Sequence, residues 1–233
     1  MPAGRIVAID GPSASGKTEL VRRLARTLGW VALPEAYRVG PTISLRFRTS
    51  AELVRLERRL IRREATRWHR AFRLAASGRD VLLDTSPWGP WTYTAGLVRL
   101  GWVPPGALDR VRALYAREEK SGRIGRPGLT LYLDVPAAER AARAHCDARG
   151  HPPRLYARHS AVAPAERELL RGPWGRRRRI QIVRVVPPCS AEALARRLAP
   201  RAAMAPRASL PRRPRAERAS GRPRRPPDVG EQT

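Results

Sequence analysis

The sequence predicts an α/β protein in which a parallel sheet is covered on both faces by helices. Short apolar runs alternate along the chain with longer segments whose apolar residues recur at helical spacing. This alternation is typical of strand–helix–strand units, whose parallel strands are buried on both sides. At 233 residues and 26.0 kDa, the chain is long enough for one domain with a substantial core.

Five segments have the composition of strands. The first is a short β-branched run that stops at Asp10 and Gly11, and the third reads "DVLLD". The remaining three are apolar runs of similar length, each bounded by turn residues or charged residues. The predicted strands cover residues 5–9, 30–33, 80–83, 129–133 and 180–186.

Helical segments are predicted between and after these strands. Apolar positions at 20, 21, 24, 25 and 28 give the first helix one buried face, and Gly29 closes it. Pro104 and Pro105 separate two later helices, while Pro136 suits the first turn of another. The predicted helices cover residues 17–28, 50–77, about 91–100, 106–119, 136–149, 164–171 and 190–198.

The composition changes at residue 200. From there Pro, Arg, Ser and Gly dominate, and few large apolar residues remain to offset the entropy of ordering. We therefore expect a folded domain over residues 1–199 and a disordered tail over residues 200–233. The tail has two interpretations, a solvated appendage or an arm that binds polyanions weakly.

The charge is strongly basic, with 47 Lys plus Arg against 20 Asp plus Glu and a formal net charge of +27. This favours attraction to polyanions, or it reflects a general bias towards arginine. Two cysteines without a CxxC pair suit a reducing compartment. A signal peptide and an apolar run long enough to span a membrane are both lacking. We expect a cytoplasmic protein without membrane association, and a homodimer remains open.

A phosphate-binding loop is predicted between the first strand and the first helix. The stretch "GPSASGKT" matches G-x-x-x-x-G-K-[ST] and lies where the mechanism requires it. Its backbone N–H groups and the helix N-terminus would cradle phosphates, Lys17 would reach the β- and γ-phosphates, and Thr18 would hold Mg²⁺. The expected ATP-binding residues are Gly11, Ser13, Ala14, Ser15, Gly16, Lys17 and Thr18.

The lysine of this motif is informative because the chain otherwise uses arginine. Only Lys17 and Lys120 are lysines among the 47 basic residues. A flexible ammonium group suits a cramped phosphate site better than a planar guanidinium does. The alternative, a glycine-rich turn that merely starts a helix, leaves that choice of lysine unexplained.

Two acidic residues follow predicted strands at the edge where α/β folds bind ligands. Asp84 could hold Mg²⁺ or accept a proton from an attacking hydroxyl, and its structural alternative is a turn cap before Ser86 and Pro87. Glu35 follows the second strand, and its alternative is an exposed loop residue.

A mobile segment over about residues 136–160 is expected to act as a lid. Its arginines could neutralise charge during phosphoryl transfer, although none stands out individually in so arginine-rich a chain. The His and Cys residues nearby fit no common zinc-ligand spacing, so we expect no zinc there. The lid arginines considered are Arg140, Arg143, Arg149, Arg154 and Arg158.

Aromatic residues cluster shortly after Asp84. Trp88, Trp91 and Tyr93 could stack on a nucleobase, or they could pack in the core.

The chain resembles the thymidylate kinase and deoxynucleoside kinase group of P-loop kinases. The resemblance rests on three motifs in the same order, "IDGPSASGKT", "LLDTSPW" and "LYLDVPAAERAARA". The resemblance covers about residues 4–198. It implies a P-loop NTPase fold of three layers with a five-stranded parallel sheet, ATP and Mg²⁺ as donor, and a nucleoside or nucleotide acceptor. It also implies that Glu35 takes the proton of the acceptor hydroxyl and that Arg140 and Arg143 are lid arginines.

The second motif departs from the group at one position. Thr85 stands where those kinases carry an arginine, and Arg38, Arg46 or Arg48 could substitute for it.

The sequence therefore predicts an ATP-dependent small-molecule kinase that phosphorylates a nucleoside or nucleoside monophosphate. Lys17, Asp84, Glu35, Arg140 and Arg143 would act in catalysis, with Thr18 and Asp84 at the metal. The alternatives are a P-loop kinase of another metabolite, or a regulatory or nucleic-acid-associated P-loop ATPase, which the charge favours.

Overall fold

Five parallel strands form one sheet at the centre of the fold. The computed structural model describes residues 4–36, 47, 49–104, 106–145, 153–185 and 190–206. Within this part of the chain the strands pair in the order β2-β3-β1-β4-β5. Their bounds are β1 Ile6–Asp10, β2 Val31–Leu33, β3 Val81–Asp84, β4 Leu129–Asp134 and β5 Ile180–Arg184.

Helices connect the strands and cover the sheet. The first begins directly after the glycine-rich loop, and the second is a long helix of 27 residues that begins where Thr49 accepts a hydrogen bond from the Glu52 N–H. The helices are α1 Lys17–Leu28, α2 Ser50–Ala76, α3 Gly89–Arg99, α4 Gly106–Lys120, α5 Ala137–His145, α6 Pro153–Arg171, α7 Pro173–Arg177 and α8 Ala191–Ala203.

The two faces of β1 show how the core is divided. Val7 and Ile9 pack on one face of the sheet in a cluster that includes residues of α1 and α8. Ile6 and Ala8 pack on the other face against residues of α2. All five residues of β1 are buried, as expected for a central parallel strand with helices on both sides. The predicted three-layer fold with a five-stranded parallel sheet is confirmed.

Two helices are longer than the sequence pattern predicts, and each contains a proline. α6 begins at Pro153, whereas the prediction placed its start at Pro164, which lies inside the helix. α8 continues through Pro200 to Ala203, beyond the predicted end at 198. Proline is common in the first turn of a helix and disruptive further on, so neither extension follows from the sequence pattern.

The folded part of the chain also extends beyond residue 199. Ala202 and Ala205 are buried in the same core cluster as α1, and the Arg5 Nε donates to the Ala205 carbonyl at 3.2 Å. The domain boundary predicted at 199 is therefore too early by at least six residues. The rest of the predicted tail, residues 207–233, lies outside the described residues.

None of the helices in the described part of the chain combines the length and apolar character needed to cross a membrane.

Candidate functional site

The glycine-rich loop joins β1 to α1 through residues with left-handed backbone. Ala14 has φ 59° and Gly16 has φ 85°, and the next residue, Lys17, opens α1. A side chain on Gly11 would meet the Ser15 Oγ at 2.9 Å and the Leu133 carbonyl oxygen at 3.0 Å, so glycine is required there. A tight loop that opens a helix is a ready-made anion site, because the first N–H groups of the helix have no partners within it.

The ammonium group of Lys17 lies within this loop. Its Nζ donates to the Gly11 carbonyl at 2.8 Å and to the Pro12 carbonyl at 3.0 Å. These contacts hold the cation beside the start of α1, where phosphate oxygens could replace the two carbonyls as acceptors.

Thr18 and Asp84 meet across the strand edge. The Thr18 Oγ1 donates to the Asp84 Oδ2 at 2.7 Å, and Asp84 is only 4% exposed. The pairing of β1 with β3 places Asp84 beside Ile9, at the end of β1 from which the loop leads to Thr18 on α1. A hydroxyl and a carboxylate are the oxygen ligands that Mg²⁺ prefers, so this pair fits the expected metal.

Asp10, at the end of β1, is a second buried carboxyl at this edge. It accepts a hydrogen bond from the Ser86 N–H at 3.0 Å. Burial raises the pKa of Asp10, and the hydrogen bond from Ser86 and the charges of Lys17 and Arg67 oppose that shift. Our sequence analysis treated Asp10 only as the end of a strand.

Arg67 holds the residues that follow β3 in place. Its guanidinium donates to the carbonyls of Asp84 and Thr85, each at 2.6 Å, and it binds the Glu64 Oε2 at 2.7 and 3.0 Å. Thr85 has φ 73°, a conformation that L residues adopt rarely and that these contacts stabilise. Burial raises the pKa of Glu64, and the charge of Arg67 opposes the shift. Arg67 was not identified from the sequence, although it is buried at the edge of the apolar face of α2 and the other arginines of that helix are exposed.

Glu35 lies at the same edge of the sheet as Asp84, as predicted from its place after β2. Its side chain is open to solvent at the mouth of the cleft, yet the protein atoms crowded around it raise its pKa by desolvation. The charge of Lys17 lowers that pKa and the charge of Asp84 raises it, so the Glu35 carboxyl interacts electrostatically with both residues of the phosphate site.

Arg140 and Arg143, the two predicted catalytic arginines, occupy different places. The Arg143 Nη1 donates to the Ser15 carbonyl of the phosphate loop at 3.2 Å. Arg140 is 5% exposed and donates to the Val135 carbonyl and to the Ser160 Oγ. Neither arginine is among the described residues that line the cleft. The contact with Ser15 places Arg143 at the phosphate loop, whereas the hydrogen bonds of Arg140 go to Val135 and Ser160 instead. The pattern of α5 could not separate them, because both follow the same helical face.

A cleft of about 950 Å³ runs from the phosphate loop to an apolar pocket. The pocket is lined by side chains of α2 and α3 and by Phe47. At its floor Glu57 accepts hydrogen bonds from the Thr94 hydroxyl and from the Tyr115 OH, and burial raises the pKa of Glu57 to about 7. The apolar lining residues are Phe47, Leu53, Leu56, Leu60, Pro90 and Leu97.

Glu166, on α6, is a further buried carboxyl beside the phosphate loop. It accepts long hydrogen bonds from the Thr92 hydroxyl at 3.4 Å and from the Tyr132 OH at 3.5 Å. Burial raises its pKa to about 7, and the nearby Asp10 adds to the shift. The sequence analysis identified neither Glu57 nor Glu166, because both look like ordinary polar positions of amphipathic helices.

The aromatic cluster after Asp84 is divided between core and cleft. Trp88 and Trp91 are buried, and the Trp91 ring stacks on Trp174 at 4.4 Å while Arg178 lies over Trp88 at 4.0 Å. Stacking of a nucleobase on these two tryptophans, one of our two interpretations, is therefore wrong. Tyr93 lines the cleft, where its ring centroid lies 4.9 Å from that of His159.

Several predicted residues cannot be placed. The lid arginine Arg149 and the three arginines considered as substitutes at position 85 lie outside the described residues, as do the side chains of Arg154 and Arg158.

The strand order, the phosphate loop between β1 and α1, and the carboxylate at the end of β3 define a P-loop NTPase fold, which solved structures of a deoxynucleoside kinase and a nucleotide kinase share. Deoxyadenosine kinase from M. mycoides with bound dATP superposes with a TM-score of 0.66 at 12% identity, over 84% of this chain and 98% of that one. Thymidylate kinase from Candida albicans gives 0.58 at 13% identity, over 89% and 98%. The predicted fold resemblance is confirmed.

Comparison of sequences, rather than of structures, matches the chain to a different enzyme. The chain is 33% identical over 180 residues to a tRNA dimethylallyltransferase from Anaeromyxobacter sp. (strain Fw109-5), an alignment that covers 67% of this chain and 60% of that protein. The chain thus spans about three fifths of the length of this relative. No family model matches the sequence.

Proposed function

We propose that the protein is an ATP-dependent kinase that transfers the γ-phosphoryl group to a nucleoside or a nucleoside monophosphate. The observation that carries this proposal is the contact between Thr18 and Asp84 at the head of a cleft that continues into an apolar pocket. A cleft of about 950 Å³ is at the upper end of the usual range for small-molecule sites, which suits two ligands side by side.

The donor would bind at the phosphate loop. The loop N–H groups and Lys17 would hold the β- and γ-phosphates, and Thr18 with Asp84 would hold Mg²⁺, which neutralises phosphate charge. Arg143 contacts the Ser15 carbonyl, so a small rotation of its side chain would bring a second cation to the same phosphates.

The acceptor would occupy the apolar end of the cleft with its hydroxyl or phosphate towards the loop. Glu35 lines the same cleft as Lys17 and Asp84, and its raised pKa makes it a better proton acceptor than an ordinary carboxylate. At the pocket floor Glu57 retains lone pairs that could accept a hydrogen bond from the acceptor.

A second candidate is a P-loop enzyme that acts with nucleic acid. The identity to a tRNA dimethylallyltransferase and the net charge of +27 favour it. That candidate predicts turnover that depends on RNA or DNA rather than on a small acceptor.

The experiment is a screen for ADP release from ATP·Mg²⁺ with nucleosides, nucleoside monophosphates, other small metabolites, duplex DNA and RNA. The kinase proposal predicts ADP release that depends on a nucleoside or monophosphate and is lost in Asp84→Asn. Release that responds only to nucleic acid would contradict it and support the second candidate.

A further inference from the structure

The outward face of α2 is a continuous basic surface. From residue 55 to residue 73, every position within an arc of about 140° around the helix is exposed to solvent. These positions hold seven arginines, one threonine and one histidine. The arginines are Arg55, Arg58, Arg59, Arg62, Arg63, Arg70 and Arg73.

The acidic residues of α2 do not neutralise the positive charge of this surface. Glu57 and Glu64 lie on the opposite side of the helix, where both are buried. The remaining acid of the helix, Glu52, lies in the first turn, before the basic surface begins. In the described part of the chain none of the seven arginines makes an ion pair, and the salt bridge within α2 joins Glu64 to the inward-facing Arg67.

Other helices of the same protein pair some of their arginines with acidic residues. Arg23 pairs with Glu19 on α1 at 2.6 Å, and Arg196 pairs with Glu192 on α8 at 2.9 Å. Both are i,i+4 pairs of the kind that supports an exposed helix. What distinguishes α2 is that, in the described part of the chain, seven exposed arginines lie on one face without any such pair.

The uncompensated face carries an energetic cost. Arg55 and Arg59, Arg58 and Arg62, and Arg59 and Arg63 are like-charge neighbours four residues apart, which destabilises a helix. Pairing this face with a second copy of itself would add to the repulsion, so it is ill suited to a symmetric dimer. A polyanion would relieve the repulsion.

We propose that this face of α2 binds the phosphate backbone of a double-stranded nucleic acid. The basic positions extend over about 27 Å of rigid helix, and a duplex presents a charge about every 1.7 Å, so several guanidinium groups can contact phosphates together. Phosphate contacts of this kind bind without reading the base sequence. In the described chain, this arc carries no Phe, Tyr or Trp on which unpaired bases could stack, which favours a duplex over a single strand.

The surface is independent of the cleft. Leu53, Glu57 and Leu60 face the cleft from the other side of α2, so a bound duplex would leave the nucleotide site open. The inference therefore does not depend on which reaction the site performs, and a binding assay without ATP tests it.

The test measures the binding of a fluorescein-labelled 20-base-pair DNA duplex to the full chain by anisotropy over a range of salt concentrations. The variant is Arg55→Gln, Arg62→Gln and Arg73→Gln combined, three substitutions spread along the exposed face. We expect at least a tenfold loss of affinity near 0.1 M salt. The slope of log K against log salt should become shallower by about 2 to 3, because up to three phosphate contacts are removed.

The matched control removes the same charge from exposed arginines that have acidic partners, Arg23→Gln, Arg99→Gln and Arg196→Gln. We expect a change of less than twofold, with melting temperatures that show both variants to be folded. Equal losses in the two variants, or no loss in the α2 variant, would overturn the proposal. Tighter binding to a 20-nucleotide single strand, or to phosphatidylserine vesicles, would overturn the assignment to a duplex.

Discussion

Replacing Glu57 with glutamine tests the electrostatics at the floor of the cleft. The Glu57 carboxyl is 2% exposed, and its partners are the neutral hydroxyls of Thr94 and Tyr115 rather than a cation. Burial therefore disfavours the charged form and raises the pKa of Glu57 from 4.5 to about 7. Glutamine keeps the size of the side chain and its ability to bond hydroxyls, but it cannot ionise.

The sign and size of the effect follow from this shift. Between pH 4.5 and about 7 the folded protein retains a proton on Glu57 that the unfolded chain has released, so stability falls as the pH rises through that window. At about 1.36 kcal/mol per pKa unit, the full loss in the free energy of unfolding across this window is about 3 kcal/mol. The glutamine variant lacks this loss, so its stability relative to the native protein should rise by about 2 to 3 kcal/mol from pH 5 to pH 8.

Urea denaturation of both proteins at pH steps from 5 to 8 measures that difference. Glu192→Gln is the control, because it makes the same chemical change at a well-exposed side chain on the surface of α8 and leaves the buried Glu57 in place. Parallel curves for the native protein and Glu57→Gln would refute the reasoning, since they would mean that Glu57 ionises equally in the folded and unfolded states.

The remaining predictions concern the nucleotide site and the end of the chain. Lys17→Ala should remain folded but lose useful binding of ATP·Mg²⁺ in calorimetry, because its ammonium is the cation held inside the loop; unchanged affinity would contradict the phosphate-loop assignment. Asp84→Asn should lower acceptor-dependent turnover by about 10²-fold or more with only a modest change in ATP affinity, and near-normal turnover would show that the catalytic edge lies elsewhere. Glu35→Gln should lower turnover similarly if Glu35 takes the acceptor's proton, and a small effect would exclude it as the base. Truncation after Pro206 should leave the melting temperature unchanged, whereas truncation after Ala199 should lower it because buried Ala202 and Ala205 are removed; equal melting temperatures would show that the end of α8 adds no stability.

The sheet and the phosphate loop could be predicted because their signals are local. A central parallel strand is buried on both sides, so β1 appears in the sequence as a continuous apolar run. The loop motif predicts both its own turn and the start of α1. The places of Asp84 and Glu35 followed from the same rule, since both come directly after strands that end at one edge.

The missed features depend on contacts between distant segments. Arg67 differs from the other arginines of α2 only in the side of the helix on which it lies, and its partners, the carbonyls of Asp84 and Thr85, are 17 and 18 residues away. Arg140 lies three residues before Arg143, yet it turns towards Ser160 on α6, which the prediction had not extended to that position.

The central claim is that this cleft transfers a phosphoryl group to a small acceptor, and the fate of labelled phosphate tests it most directly. The protein is incubated with ATP labelled at the γ-phosphate, Mg²⁺ and the acceptor that most increases ADP release, and the products are separated. The account predicts that the label appears on the acceptor in step with ADP, and that both signals are lost together in Asp84→Asn. Label found only in inorganic phosphate, whichever acceptor is supplied, would contradict it.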